Sequence, residues 1–385
     1  MATSFTCSQG HHWEAAADSQ SPATAAPSQC PVCGGAPATA ASSLGAPAAS
    51  PAVRSKNKRR SSLLLILLIL GLTIVGGWAA YARWVSGAFQ SYLLLGAHHN
   101  AVRALAFSAD GKQLAVGDDD GILKRWDVDS RRERFTLVGS GASILAVAFT
   151  PDGRTLASGG KDAVVKLWDT ATGQEQAMLK DHKTHIFSLA ISQDGRLLAS
   201  GGIDGMAKVW DLSTKKVVAA LDHRPSPVYT VRFSPDGKSL ASLQGLTIRL
   251  WDTNDWTEQG TYPDGGYGEI RSLAFASGGQ RLAGGYGYCV IKLRDTASGE
   301  IERTLEGHTG AIWALASSPD GNTLASASYD GTVRLWDPAA GELRFTLVKQ
   351  AGGVNAISFS PDGKRIATAS GDFFNPGSVR IWDLP

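Results

Sequence analysis

From about residue 90 to the end of the chain, apolar and polar residues alternate in short runs. AVRALAFS and KQLAVG read as strands, with the two-residue period of a sheet that buries one face. Turn signals of the S-P-D-G type separate the runs and reverse the chain tightly. The pattern recurs with a fixed step. An apolar residue opens each unit at Val102, Ile144, Ile186, Val228, Ile270, Ile312 and Val354, each 42 after the last. The same step carries Asp110-Gly111 to Asp152-Gly153, Asp194-Gly195, Asp236-Gly237, Asp320-Gly321 and Asp362-Gly363, while the fifth unit has Gly278-Gly279 instead. A sheet this small cannot hide its own faces, so neighbouring units must stack. Seven units of that length fill the span 91–385, which predicts a closed ring of seven. One run breaks the pattern. Leu63 to Ala82 carries no charge and has the length of a helix that crosses a bilayer. Trp78, Tyr81 and Trp84 would mark one of its interfaces.

The units contain LKRWD, VKLWD, AKVWD, IRLWD, IKLRD, VRLWD and VRIWD at corresponding places. This period with these WD endings resembles the WD40 family, over roughly three quarters of the chain. The resemblance implies an all-β fold, a seven-bladed WD40 β-propeller with four strands per blade. The chain ends at IWDLP, after the third strand of blade seven, and SYLLLG (91–96) resembles the fourth-strand segments. Residues 91–96 are therefore expected to close the last blade and remove an open edge.

Members of this family often carry a hydrogen-bonded tetrad of His, Ser or Thr, Asp and Trp. The match is complete in blade three, at His182, Ser200, Asp204 and Trp210, and in blade six, at His308, Ser326, Asp330 and Trp336. Elsewhere it is partial. Blade one has Val116 where the hydroxyl belongs and Asp120 in the Asp position, and blades two and seven have Ser140 and Gln350 for His. Blade four keeps Ser242 and Trp251 without the Asp, and blade five has Tyr288 and Arg294 in the Asp and Trp positions. Such trios suggest nucleophilic catalysis, but their recurrence in separate blades fits a structural network whose buried polar groups satisfy one another.

The resemblance also implies a protein- or peptide-binding face. The family's positions fall here on Arg103, Leu145, Phe187, Tyr229, Arg271, Trp313 and Asn355, again 42 apart, with Asp119, Lys161 and Tyr329 beside them. A four-residue insertion in blade seven adds Phe373 and Phe374 to that face. Aromatic residues and Arg are the usual anchors of interfaces. The run Asp118-Asp119-Asp120 looks like a cation site, but a turn and the tetrad position explain it.

Composition changes the picture mainly at the N-terminus. The net charge of +2 gives no electrostatic case for nucleic acid. Of the four cysteines, Cys289 stands alone and the others crowd the N-terminus, as Cys7-x3-His11 and Cys30-x2-Cys33. Two such pairs suit a tetrahedral structural Zn²⁺ site, with His12 an alternative to His11, and CPVCGG resembles a zinc-ribbon knuckle. The expected order is a zinc-ribbon-like segment at 1–33, a disordered Ala/Pro/Ser-rich and then basic linker at 34–60, a transmembrane helix at 61–84, and the propeller at 91–385. The whole is similar to bacterial membrane-anchored WD40 proteins. Arg54, Lys56, Lys58, Arg59 and Arg60 precede the apolar run and Arg83 follows it. The positive-inside rule then puts the N-terminus in the cytoplasm and the propeller outside. The leading expectation is a membrane-anchored, non-enzymatic scaffold. The alternatives are a small-ligand sensor or enzyme using the propeller channel, and a propeller that faces cytoplasmic signalling partners.

Overall fold

In the computed structural model of this protein, each repeat unit becomes one antiparallel sheet of four strands. The structure describes residues 3–6, 12–15, 92–138, 141–264, 269–347, 349–372 and 375–384. Blade three is representative, with strands Ile186–Ile191, Leu197–Gly202, Met206–Asp211 and Lys216–Asp222 paired in sequence order. Seven four-stranded sheets form in this way. The first strands of consecutive blades pack on one another around an axis, and that of blade seven packs on that of blade one. Blade seven takes its outer strand from the start of the repeat region. Tyr92–His98 pairs antiparallel with Gly377–Asp383, from Tyr92 opposite Trp382 to His98 opposite Gly377.

The tight turns follow from two side chains. In blade one, Ser108 Oγ donates to Asp110 Oδ1 at 2.5 Å, and Asp110 also accepts the Lys112 N–H at 3.0 Å. The same hydroxyl accepts the Gln113 N–H at 3.0 Å, while Gly111 supplies the positive φ of 69° that the reversal needs. Five further blades repeat this arrangement through Asp152, Asp194, Asp236, Asp320 and Asp362. Blade five lacks the Asp and turns instead through a 3₁₀ segment, Ser277–Gly279, with Gly278 at φ 65°.

Stacking explains the small residues in the second strands. Ala115, Ala157, Ala199, Ala241, Ala283, Ala325 and Ala367 are all fully buried. At Gly201 a Cβ would lie 2.9 Å from Val228 Cγ1, so the missing side chain lets blade four's opening residue seat against blade three. One apolar cluster fills each gap between consecutive blades. The third-strand tryptophans face the preceding blade, as Trp210 does within the cluster between blades two and three. No blade buries its apolar faces by itself; each cluster is shared between two neighbours.

The chain divides into two units, Met1–Gly71 and Leu72–Pro385. In the first, Thr3–Thr6 pairs antiparallel with His12–Ala15. The expected zinc ligands Cys7, His11, Cys30 and Cys33, the transmembrane segment 61–84, and Ser140, Phe373 and Phe374 lie outside the described residues. Among the described residues, no helix is long and apolar enough to cross a membrane.

Candidate functional site: a bulge ring around the axial cavity

The seven residues placed 42 apart share one structural cause. In every blade the ladder between first and second strands slips by one residue, for example between Val102 opposite Asp118 and Ala104 opposite Gly117. The residue left without a partner is Arg103 there, and Leu145, Phe187, Tyr229, Arg271, Trp313 and Asn355 in the other blades. Such a bulge re-aims the extra side chain away from the sheet. All seven side chains line one central cavity of about 410 Å³, and Asp119 and Lys161 line it too.

The ring is partly preassembled. Arg103 is held by Asp119, with Nε to Oδ2 at 2.8 Å. Arg271 pairs with Glu269 at 2.8 Å and lies over the Trp313 ring, 4.6 Å from its centroid. Phe187 and Tyr229 touch with ring centroids 5.5 Å apart. Asn355 Nδ2 donates to the carbonyls of Val102 and Gly371 and helps tie blade seven to blade one. Tyr329 sits in the second-to-third-strand turn of blade six, where its N–H bonds the Ala311 carbonyl just before the first strand. Its side chain is 59% exposed, the highest value among the large hydrophobic residues described.

The tetrads lie between strands, away from the cavity. In blade three Trp210 Nε1 donates to Ser200 Oγ at 2.9 Å, Ser200 is 2.8 Å from His182 Nε2, and His182 Nδ1 is 2.9 Å from Asp204 Oδ2. Blade six repeats the chain through Trp336, Ser326, His308 and Asp330. A neutral imidazole satisfies every group: Nδ1–H donates to Asp, Nε2 accepts the Ser hydroxyl, and Ser Oγ accepts the indole. Burial pushes the pKa of His182 and of His308 down, against the pull of Asp204 and Asp330, which favours that neutral form. The serine is engaged with a buried histidine and indole instead of facing an open site.

The partial sets show what the constant step misses. In blade four the histidine is His223, one residue before the position that the step marks. It bonds Ser242 Oγ at 2.7 Å through Nε2, and turns Nδ1 to the Leu221 carbonyl in place of the absent Asp. Ser242 in turn accepts from Trp251 Nε1 at 2.7 Å. In blade one the partner of His98 is Asp118, at 2.8 Å, instead of Asp120, which accepts from Asn100. Asp118 stands where blade three has Gly202, a position beside the histidine and Asp pair, so a carboxylate there reaches the imidazole first. In blade seven Gln350 Nε2 and Trp382 Nε1 both donate to Thr368. Blade five is rebuilt with charge: Lys292 lies 2.9 Å and Arg294 3.4 Å from the buried Asp264, and the ring of the fully buried Tyr286 faces Lys292. Arg294 in the Trp position was the available signal for that change.

A closed ring of seven such blades, with a side-chain ring at the mouth of its axial cavity, defines a β-propeller interaction module. The chain belongs to the WD40 family: the WD domain, G-beta repeat matches residues 89–127, 131–169, 173–211, 215–252, 299–337 and 341–383. The first three strands of blade five, Ile270–Ala276, Arg281–Tyr286 and Ile291–Asp295, fall between the fourth and fifth of these matches. No match was found among the curated proteins. WD40 propellers generally act as non-catalytic scaffolds that bind protein partners.

Proposed function

We propose that this protein is a membrane-anchored, non-enzymatic scaffold whose propeller docks an extended protein or peptide partner at the bulge ring. The observation that carries the docking reading is the convergence of Phe187, Tyr229, Trp313 and two clamped arginines on one cavity mouth. Aromatic and Arg side chains are the residue types that concentrate binding energy, and here their rotamers are already held by neighbours, which lowers the entropy lost on binding. Tyr329 extends the surface outward. The anchoring reading rests on the uncharged run from Leu63 to Ala82, and the N-in orientation on the basic flank before it. For Cys7, His11, Cys30 and Cys33, three thiolates and an imidazole form a donor set that fits structural zinc. In sequence, Cys7 and His11 fall in the connection between the paired strands Thr3–Thr6 and His12–Ala15.

The test is crosslinking on native membranes, followed by mass spectrometry, with the double variant Trp313→Ala, Tyr329→Ala. Loss of the crosslinked partner with an unchanged melting temperature is expected. Capture equal to that of the unaltered chain would show that docking lies elsewhere.

A further inference from the structure

The axial cavity carries positive charge that the protein does not neutralise. Of its lining cations, Arg103 and Arg271 are paired with Asp119 and Glu269. Lys161 and Arg232 have no acidic partner among the described residues. Arg232 is the stranger of the two. Its position in the first strand is occupied by Ala106, Ala148, Ala190, Ala274, Ala316 and Ser358 in the other blades. None of those six small residues lines the cavity, whereas the long Arg232 side chain does. Nη1 is fixed by the Ser188 hydroxyl at 3.0 Å and the Val231 carbonyl at 2.8 Å, which sets the orientation of the planar guanidinium. Nε and Nη2, the other edge of the fork, have no protein partner. Burial pulls the pKa down to about 10, so the group stays charged at neutral pH. A guanidinium set in the cavity wall and held by one arm, with a two-donor edge unused, matches the bidentate geometry of a carboxylate.

We infer that the axial cavity is an acid-reading subsite: the docked partner inserts an Asp or Glu side chain to meet the free edge of Arg232. This rests on the docking reading above and names the chemistry of the partner residue. Placement favours a peptide over a free anion. Ser188 adjoins Phe187 and Arg232 shares a strand with Tyr229, so the two aromatics that touch one another belong to the strands that hold the guanidinium. They supply flanking surface that a small inorganic anion would not use. Lys161, on the rim, adds attraction for the same charge.

The full chain in detergent is applied to immobilised nonapeptide libraries, randomised except for a central Glu, Gln, Lys or Leu. The Glu set is expected to be retained about tenfold better than the Gln set, and Arg232→Met to abolish that preference. Arg232→Lys, which keeps the charge and loses the fork, should retain only part of it. Melting curves check that the variants fold. A Glu preference that survives in Arg232→Met would overturn the assignment, as would equal retention of Glu and Gln. Stabilisation by millimolar phosphate, lost in Arg232→Met, without retention of any peptide set would assign the cation to a free anion instead. If Trp313→Ala, Tyr329→Ala abolishes partner capture but Arg232→Met does not, docking at the ring stands and the acid-reading subsite fails.

Discussion

Replacing Val116 by Thr should make the propeller more stable. In blade one, His98 Nε2 and Trp126 Nε1 are buried without a hydrogen-bond partner, because Val116 occupies the place of the hydroxyl that joins them in other blades. Blade seven shows that the exchange is sterically natural: Thr368 holds the equivalent position, fully buried, and its Oγ1 accepts from Gln350 at 2.9 Å and Trp382 at 3.0 Å. The hydroxyl introduced by Val116→Thr would donate to His98 Nε2 while His98 Nδ1–H remains on Asp118, and would accept from Trp126. Each orphaned buried group costs about 1–3 kcal/mol. Against this stand the desolvation of the hydroxyl and the loss of one buried methyl, together about 2 kcal/mol. The net expectation is a gain of about 1 kcal/mol, or roughly 2 °C in melting temperature for a ring of this size. The reverse change, Thr368→Val, should lose about 2 kcal/mol by orphaning Gln350 and Trp382. Thermal and urea unfolding followed by tryptophan fluorescence would measure both. If Val116→Thr is no more stable than the unaltered chain while Thr368→Val is neutral, the tetrads are not held by hydroxyl satisfaction and the reasoning fails.

Acid should weaken the ring. His182, His223 and His308 have pKa values pushed below 6.5 by burial, so the unfolded chain binds more protons as pH falls. Their contribution is fully present above about pH 6.5 and is lost progressively below it. A melting temperature that rises as pH is lowered from about 7 to about 5.5 would contradict this sign. For the N-terminal region, protease added to spheroplasts should digest the propeller, and metal analysis of the full chain should find about one Zn²⁺ per molecule. Complete protection would reverse the proposed orientation, and absence of zinc would remove the proposed ribbon.

The constant repeat step carried much of the architecture. Blade number, the turn aspartates and the seven cavity residues all lie on it, because every blade solves the same packing problem and reuses the same positions. Reading by that step fails wherever a blade departs from the shared solution. His223 is displaced by one residue, since a shorter approach to it is made up by a longer one to Val228. Asp118 precedes Asp120 to His98 through proximity, which spacing along the chain does not reveal. The charged core of blade five needed Asp264, Lys292 and Arg294 to be seen side by side, although the first lies in the connection after blade four's last strand and the other two on blade five's third strand.

The periodic part of this protein was settled by residue order alone: alternation chose strands, Asp-Gly chose turns, and small residues in second strands permitted close stacking. Direction and company came from the folded ring. A one-residue bulge, invisible in composition, turns seven side chains toward a common axis, and closure brings residues from all seven blades around the same cavity. Arg232 gains its meaning only there. Along the chain it is one arginine in a strand; in the ring it is a cation in the wall of the axial cavity, with half of its fork unfilled.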